Sequence, residues 1–292
     1  MNAPELHIAR KHWTLAESFR HCEHVTRSHY ENFPVASLFL PRDKRPYVSA
    51  LYAFARIADD FADEPGWTPA ERIENLNSWE QRLIDCVNGH ATHPVFIALA
   101  DTIERFQIPV ELLQSLLIAF RTDVTVHRYD TFEDLLAYCE NSANPVGRLV
   151  LLLFNYRSDS MQALSDSICT ALQLANFWQD VTVDLSKDRV YLPLEDLDRF
   201  GFTEQDLFAR RFGKRFQDLM AFEVGRTEEI FTEGAPLLDL VGRDIAAELR
   251  LTWHGGMRIL GKIRAQNFDV FRRRPTLSPF DKIGLLWQAR KR

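Results

Sequence analysis

The run Gln173–Asp184, QLANFWQDVTVD, constrains this chain more than any other stretch. It continues the apolar, helix-periodic pattern ICTALQLANFW and sets Asn176, Asp180 and Asp184 at i, i+4 and i+8. At ~3.6 residues and ~5.4 Å per turn, each step of four rises about one turn and rotates only ~40°, so the three side chains form a slanted row. A helix that is apolar around most of its surface belongs inside a helical fold. Two carboxylates and an amide along its remaining edge suit a hard divalent cation, which takes oxygen ligands and completes its shell with water and substrate phosphates. The same spacing also occurs on solvated acidic faces.

A second acidic cluster, Asp59, Asp60, Asp63 and Glu64, follows the apolar pattern VSALYAFARIA, with Asp59 and Asp63 four apart. Like charges that converge inside a fold are costly unless cations neutralise them, so two such clusters facing each other imply bound metal or raised pKa values. Tyr52, Arg56, Asp59 and Asp63 share one helix face. The planar donor fork of Arg56 suits either pinning the aspartates or gripping a diphosphate, and a plain intrahelical ion pair is the alternative. Beyond Asp184 the chain leaves the helix through LSKDRVYLP. Lys187, Arg189 and Tyr191 can then turn towards a metal site, where the basic pair would bind diphosphate oxygens that Mg²⁺ leaves free.

Nearly every periodic segment is helical: Thr14 to Thr26, about Arg45 to Asp63, Pro69 to Asn88, Pro94 to Phe106, Pro109 to Thr125, Thr131 to Ser142, Phe216 to Thr232, Pro236 to Leu251 and Met257 to Asn267. Thr131 with Asp134, and Thr203 with Asp206, fit capping boxes. Strand-like alternation is absent, which predicts an all-α bundle, and no linker divides the 292 residues, which predicts a single domain, 1–292. Pro145 and Gly147 interrupt the apolar segment SANPVGRLVLLLF; the break either opens space beside the helix or kinks a core helix. Gly255 and Gly256 weaken the start of the last helix, each at ~1 kcal/mol, and mark close backbone approach, room for a ligand or a simple helix break.

The net charge of −6 argues against nucleic acid as the main partner, while a diphosphate remains compatible because bound Mg²⁺ inverts the local sign. Four scattered cysteines without CxxC suit a reducing cytoplasm, and His21, Cys22 and His24 lack the second cluster a zinc site needs. The N-terminus lacks a signal-peptide core, no stretch reaches the ~20 apolar residues of a membrane span, and no GxGxxG suggests a redox nucleotide. FRRRP, ending at Pro275, is a candidate phosphate or lipid-headgroup patch.

The two aspartate-rich helices, RVYLP (Arg189 to Pro193) and NFDVFRRRP (Asn267 to Pro275) resemble the squalene and phytoene synthase family, over nearly the whole chain and in the family's order. ENFPVAS (Glu31 to Ser37), SANPVGRLVL (Ser142 to Leu151) and LTWHGGMRIL (Leu251 to Leu260) look like its bacterial hydroxysqualene synthase branch, on the way to squalene and hopanoids. The resemblance implies an isoprenoid synthase bundle with a central cavity. It implies Mg²⁺ on Asp59, Asp63, Asn176, Asp180 and Asp184, with no NADPH, and a carbon–oxygen lyase that ionises presqualene diphosphate, lets it rearrange and captures it with water.

By the same resemblance the four aspartates and Tyr52 are catalytic, and Arg56, Asn32, Phe33, Tyr138, Ser142, Val146, Gly147, Gln173, Lys187, Arg189 and Tyr191 bind substrate. Phe33, Phe54, Phe154 and Phe177 are candidates to line the carbocation pocket, and Asn32, Asn144 or Tyr52 to place the water. Gln179 stands where many relatives carry Arg, removing a cation beside the diphosphates, and Gly256 stands where many carry Tyr, leaving room for water. Head-to-head condensation of two prenyl diphosphates is the alternative reaction, and a non-catalytic assembly protein the alternative class. Lipid substrates imply peripheral contact with the inner face of the cell membrane and contact with other squalene-pathway enzymes.

Overall fold

Prolines and short polar side chains set where the helices begin. Thr68 accepts the Glu71 backbone N–H at 3.3 Å while the Glu71 carboxylate accepts the Thr68 N–H at 2.7 Å, a reciprocal cap with Pro69 in the first turn. Thr131 with Asp134 and Thr203 with Asp206 close the same boxes, as the sequence predicts. The computed structural model describes residues 12–28 and 40–290. Among them every regular element is helical. The order is α1 (Leu15–Ser28), α2 (Arg45–Asp63), α3 (Pro69–Val87), α4 (Pro94–Phe106), α5 (Val110–Thr125), α6 (Phe132–Ser142) and α7 (Asn144–Leu153). It continues through α8 (Asp159–Ser186), α9 (Leu194–Arg199), α10 (Glu204–Phe208), α11 (Lys214–Gly234), α12 (Leu237–Leu240), α13 (Ala246–Ala265) and α14 (Pro279–Arg290).

The helices gather into two compact units, residues 1–125 with 148–157, and residues 126–147 with 158–292. The first is built on an aromatic core. Trp79 is fully buried, its ring 4.5 Å from that of Phe96 and 5.5 Å from that of Phe61, and its indole N–H donates to the Phe54 carbonyl at 3.2 Å. That contact fixes α2 against α3 and determines which face of α2 is left for Tyr52, Arg56 and the aspartates. In the second unit α8 packs on α11. Trp178 is fully buried and donates to Thr227 Oγ1 at 2.8 Å, and that hydroxyl donates to the Glu223 carbonyl at 2.7 Å.

Three expectations about the glycines are corrected. Residues 246–265 form one helix that runs through Gly255 and Gly256, so the pair lies mid-helix and not at a helix start. Gly256 leaves no room for a water: a Cβ there would stand 2.3 Å from Phe231 Cζ and 2.9 Å from Leu172 Cδ2, so close packing of α13 on α11 and α8 is what the glycine permits. The break at Pro145 does not thin a helix. It ends α6 and starts α7, and the space beside Gly147 is filled by Ser165 and Cys169 of α8, whose sulfur would lie 2.5 Å from an added Cβ.

Candidate active site

On α2, Arg56 donates to Asp59 at 3.2 Å and to Asp60 at 2.5 Å, one turn on, so the intrahelical pair is the reading the geometry takes. Asp59, Asp60 and Asp63 all stand in the last turns of their helix, where the negative end of the macrodipole repels carboxylates, and no basic residue shares the last turn. Burial pushes the Tyr52 hydroxyl above its ordinary value, Asp59 and Asp60 add to this and Arg56 opposes it, so Tyr52 stays a hydrogen-bond donor.

In the second unit, α8 breaks the same rule with Asp180 and Asp184 near its C-terminal end and no basic residue in its last turn. Its neutralising charge comes from elsewhere. Arg274 closes its guanidinium on both carboxylate oxygens of Asp180, the Nη2 contact at 2.9 Å, in the planar two-point geometry that suits arginine. Asp184 is pushed up to about 7, first by burial and then by the like charge of Asp180, with Arg189, Lys187 and Arg274 pulling the other way. Four of the residues singled out from sequence, Asp180, Asp184, Lys187 and Arg189, are thus electrostatic neighbours. Asn176, a turn earlier on the row, is exposed, and Gln173 is half-buried.

The expectation that Gln179 removes a cation from this place is overturned. Gln179 is buried and its side-chain amide donates to the Pro275 carbonyl, which sets the preceding residue, Arg274, on Asp180.

Beside Asp184 a small cleft is lined by Phe177, Val181, Arg189 and Tyr191. Phe177 stacks on Tyr191 with centroids 3.7 Å apart, Tyr138 lies 6.2 Å from each, and Tyr129 lies 5.5 Å from Tyr138 and 5.8 Å from Tyr191. Tyr129 was not among the residues singled out. The Arg189–Tyr191 segment is held in place by backbone bonds, Val190 N–H to the His127 carbonyl at 2.9 Å and Leu194 N–H to the Tyr129 carbonyl at 3.0 Å. Arg128, also unforeseen, grips the Asp188 carboxylate at 2.7 Å and Glu204 at 2.6 Å.

Other candidates go elsewhere. Asn144 accepts the Thr170 hydroxyl at 2.9 Å in a buried bond, Phe54 is part of the α2–α3 core and Phe154 is buried with Lys44 Nζ 5.7 Å from its ring centre. Val146 is exposed, and the buried Ser142 hydroxyl has no hydrogen-bond partner among the described residues. Asn32 and Phe33 lie outside the described residues.

Among the described residues no three His, Cys, Asp or Glu side chains come together to cage a metal ion, at His21, Cys22 and His24 or elsewhere. The carboxylate pairs that are present match a different donor set. Mg²⁺ binds through one or two carboxylates when substrate phosphates and water supply the rest of its octahedron, so the residues fit a Mg²⁺–diphosphate complex.

A family profile described as squalene/phytoene synthase matches residues 26–281, running through both units. The chain belongs to that family. It is 44% identical to the crystal structure of squalene synthase HpnC from Alicyclobacillus acidocaldarius, covering 87% of this chain and 95% of that one with a TM-score of 0.83. A dehydrosqualene synthase structure with ligand is 26% identical over 94% of this chain and 96% of its own, with a TM-score of 0.85. The phytoene synthase of Thermus thermophilus is 32% identical over 91% of this chain and 90% of its own. The fold is therefore the all-α isoprenoid synthase fold, and the family processes prenyl diphosphates.

Proposed function

We propose that this protein, read as one functional domain, ionises presqualene diphosphate and lets water capture the rearranged cation, giving hydroxysqualene and diphosphate on the way to squalene and hopanoids. The observation that supports the squalene side of this reading is the identity gradient, 44% to a squalene synthase against 26% to a dehydrosqualene synthase and 32% to a phytoene synthase, while the water-capture step rests on the branch resemblance of SANPVGRLVL and LTWHGGMRIL.

The C–O bond breaks with its electron pair leaving on the diphosphate, the cation rearranges, and a water oxygen forms the new C–O bond and gives up one proton. No electrons are gained or lost, so no NADPH is required. Asp180 and Asp184 with Asn176, and Asp59 with Asp63, would hold Mg²⁺, which supplies positive charge for the departing diphosphate. Arg189 and Lys187, and on release from their carboxylate partners Arg274 and, in the first unit, Arg56, would supply charge-assisted hydrogen bonds to phosphate oxygens. The stacked faces of Phe177, Tyr191 and Tyr138 offer negative π surface to a carbocation and keep bulk water away. Preorganised charge aimed at the leaving group is the main way such a site lowers the barrier.

One observation favours the condensing reaction instead. With Arg274 on Asp180, the site keeps the cation whose loss would have argued against holding two prenyl diphosphates. The purified protein should therefore be given Mg²⁺ without NADPH, with farnesyl diphosphate in one tube and presqualene diphosphate in another. Hydroxysqualene from presqualene diphosphate alone supports the proposal. Presqualene diphosphate or phytoene-type products from prenyl diphosphates would overturn it in favour of condensation.

A further inference from the structure

A cavity of about 520 Å³ opens in the second unit between α6, α9 and α11, and none of its lining residues belongs to the acidic row on α8. That volume suits a small organic molecule. Phe132, Leu136 and Phe222 supply its apolar lining. Arg226 lies over the Phe132 ring, 3.4 Å from its centre, and Arg199 over the Phe222 ring at 4.4 Å. Arg226 is tied to two carboxylates, by Nε to Glu223 at 2.8 Å and by Nη2 to Asp196 at 2.7 Å, while its Nη1 has no acceptor among the described residues. Burial pushes Glu223 up to about 8, so at neutral pH it keeps its proton and these three groups together carry no net charge.

The charges left over around the cavity are Glu133, Glu195 and Arg199, all exposed. Glu195 and Arg199 stand four apart on α9, acid before base, the order in which such residues ordinarily pair along a helix. Here they do not pair. Glu195 accepts the Phe132 backbone N–H at 2.7 Å, and Arg199 turns onto the rings of Phe222 and Phe200. Held apart, they leave opposite charges beside an apolar space, with Glu133, next in the chain to Phe132, added to the acid. A simple anion would meet two carboxylates there, and a simple cation would meet Arg199 and the open edge of Arg226. A neutral apolar molecule would strip water from all of them and leave them unpaired. A ligand with both charges and an apolar body satisfies every group.

We propose that this cavity binds a zwitterionic α-amino acid with a large apolar side chain. Glu133 and Glu195 take its ammonium, Arg199 and Arg226 Nη1 its carboxylate, and Phe132, Leu136 and Phe222 its side chain. The backbone couples this place to the acidic row. Glu195 N–H donates to the Asp130 carbonyl at 3.0 Å and Leu194 N–H to the Tyr129 carbonyl at 3.0 Å, in the same run of bonds that holds Arg189 and Tyr191. A ligand that bridges Glu195 and Arg199 therefore stiffens that segment, and acts as an effector on the residues to which the proposed reaction assigns the diphosphate.

The test is calorimetric titration of the full chain, without Mg²⁺ or prenyl substrate, with L-phenylalanine, L-tryptophan and L-leucine. Two analogues that lack one charge each, 2-phenylethylamine and 3-phenylpropanoate, are titrated beside them. At least one amino acid should bind with a Kd of about 1 mM or tighter, and removing either charge should weaken binding by about tenfold or more. Arg199→Gln and Glu195→Gln should each weaken it as much; a glutamine oxygen at 195 can still accept the Phe132 N–H, and thermal melts check that the fold is kept. Hydrogen exchange should show the Val190 and Leu194 amides better protected with the amino acid than without it. Absence of binding by all three amino acids, equal binding of 3-phenylpropanoate and phenylalanine, or full binding by a folded Arg199→Gln variant would each overturn the proposal. Binding without added protection would overturn the coupling. None of these readings uses turnover, so failure of the reaction reading is a separate result.

Discussion

Gln179 donates its side-chain amide to the carbonyl of Pro275, 96 residues further along, and so delivers the neighbouring Arg274 to Asp180. If that arrangement positions charge for the leaving diphosphate, Arg274→Gln should lower kcat by about 100-fold, the usual cost of one electrostatic donor. Arg274→Lys should recover part of the loss, since it restores charge without the two-point fork. Gln179→Leu should behave as a weaker Arg274 variant. It leaves the Pro275 carbonyl without its donor, at about 1–3 kcal/mol of stability, and steady-state kinetics alongside thermal melts would separate the two effects.

Gly256→Ala should destabilise the fold, although alanine is the better helix former by about 1 kcal/mol. The new methyl would collide with the Phe231 ring, a contact whose relief costs about 1–3 kcal/mol in packed interiors. Urea midpoints of the variant measure this. A gain in stability would show that α13 can shift away from α11.

Glu248 is one source of pH-dependent stability, alongside Glu223 and Asp184, which burial shifts in the same direction. It is buried, its Oε2 has no hydrogen-bond partner among the described residues, and burial raises it from 4.5 to about 8. The folded chain therefore keeps a proton that the unfolded chain has released between those two values, and stability falls as pH rises across that window. Glu248→Gln should flatten the fall and leave the variant more stable at pH 8 by an amount on the order of a few kcal/mol. Melting curves at pH 5 and pH 8 compare the two; a wild-type midpoint that does not drop relative to the variant's would contradict it.

Arg128→Ala should loosen the segment that presents Arg189 and Tyr191, because it releases both Asp188 and Glu204. The amides of Val190 and Leu194, bonded to the His127 and Tyr129 carbonyls, should lose hydrogen-exchange protection, and KM should rise more than kcat falls.

The sequence was most informative where structure is local. Helix α2 runs from Arg45 to Asp63 as its proline and apolar period indicate, and the boxes at Thr131 and Thr203 close as written. The aspartates on α2 and α8 stand at the spacing that made them noticeable, because i, i+4 recurrence is a property of the helix itself. What escaped notice depends on residues far apart. Nothing periodic links Asp180 to Arg274, and although the basic run FRRRP was visible, its target was not. For Gly256 the sequence offered close approach beside room for a ligand and had no means to choose, because what decides it is the ring of Phe231 on another helix. Tyr129 and Arg128 left no mark because they serve a segment some sixty residues downstream.

The Arg274–Asp180 pair also sets an order in time. A growing chain completes the acidic row on α8 well before it makes the cation that answers it, since the two partners are 94 residues apart. Until residues 274 and 275 are available, Asp180 and Asp184 face each other's repulsion with only Lys187 and Arg189 at hand. The aspartate-bearing helix thus waits for a partner made 94 residues later, and a fragment stopped short of Arg274 would inherit the acidic row without the charge that balances it.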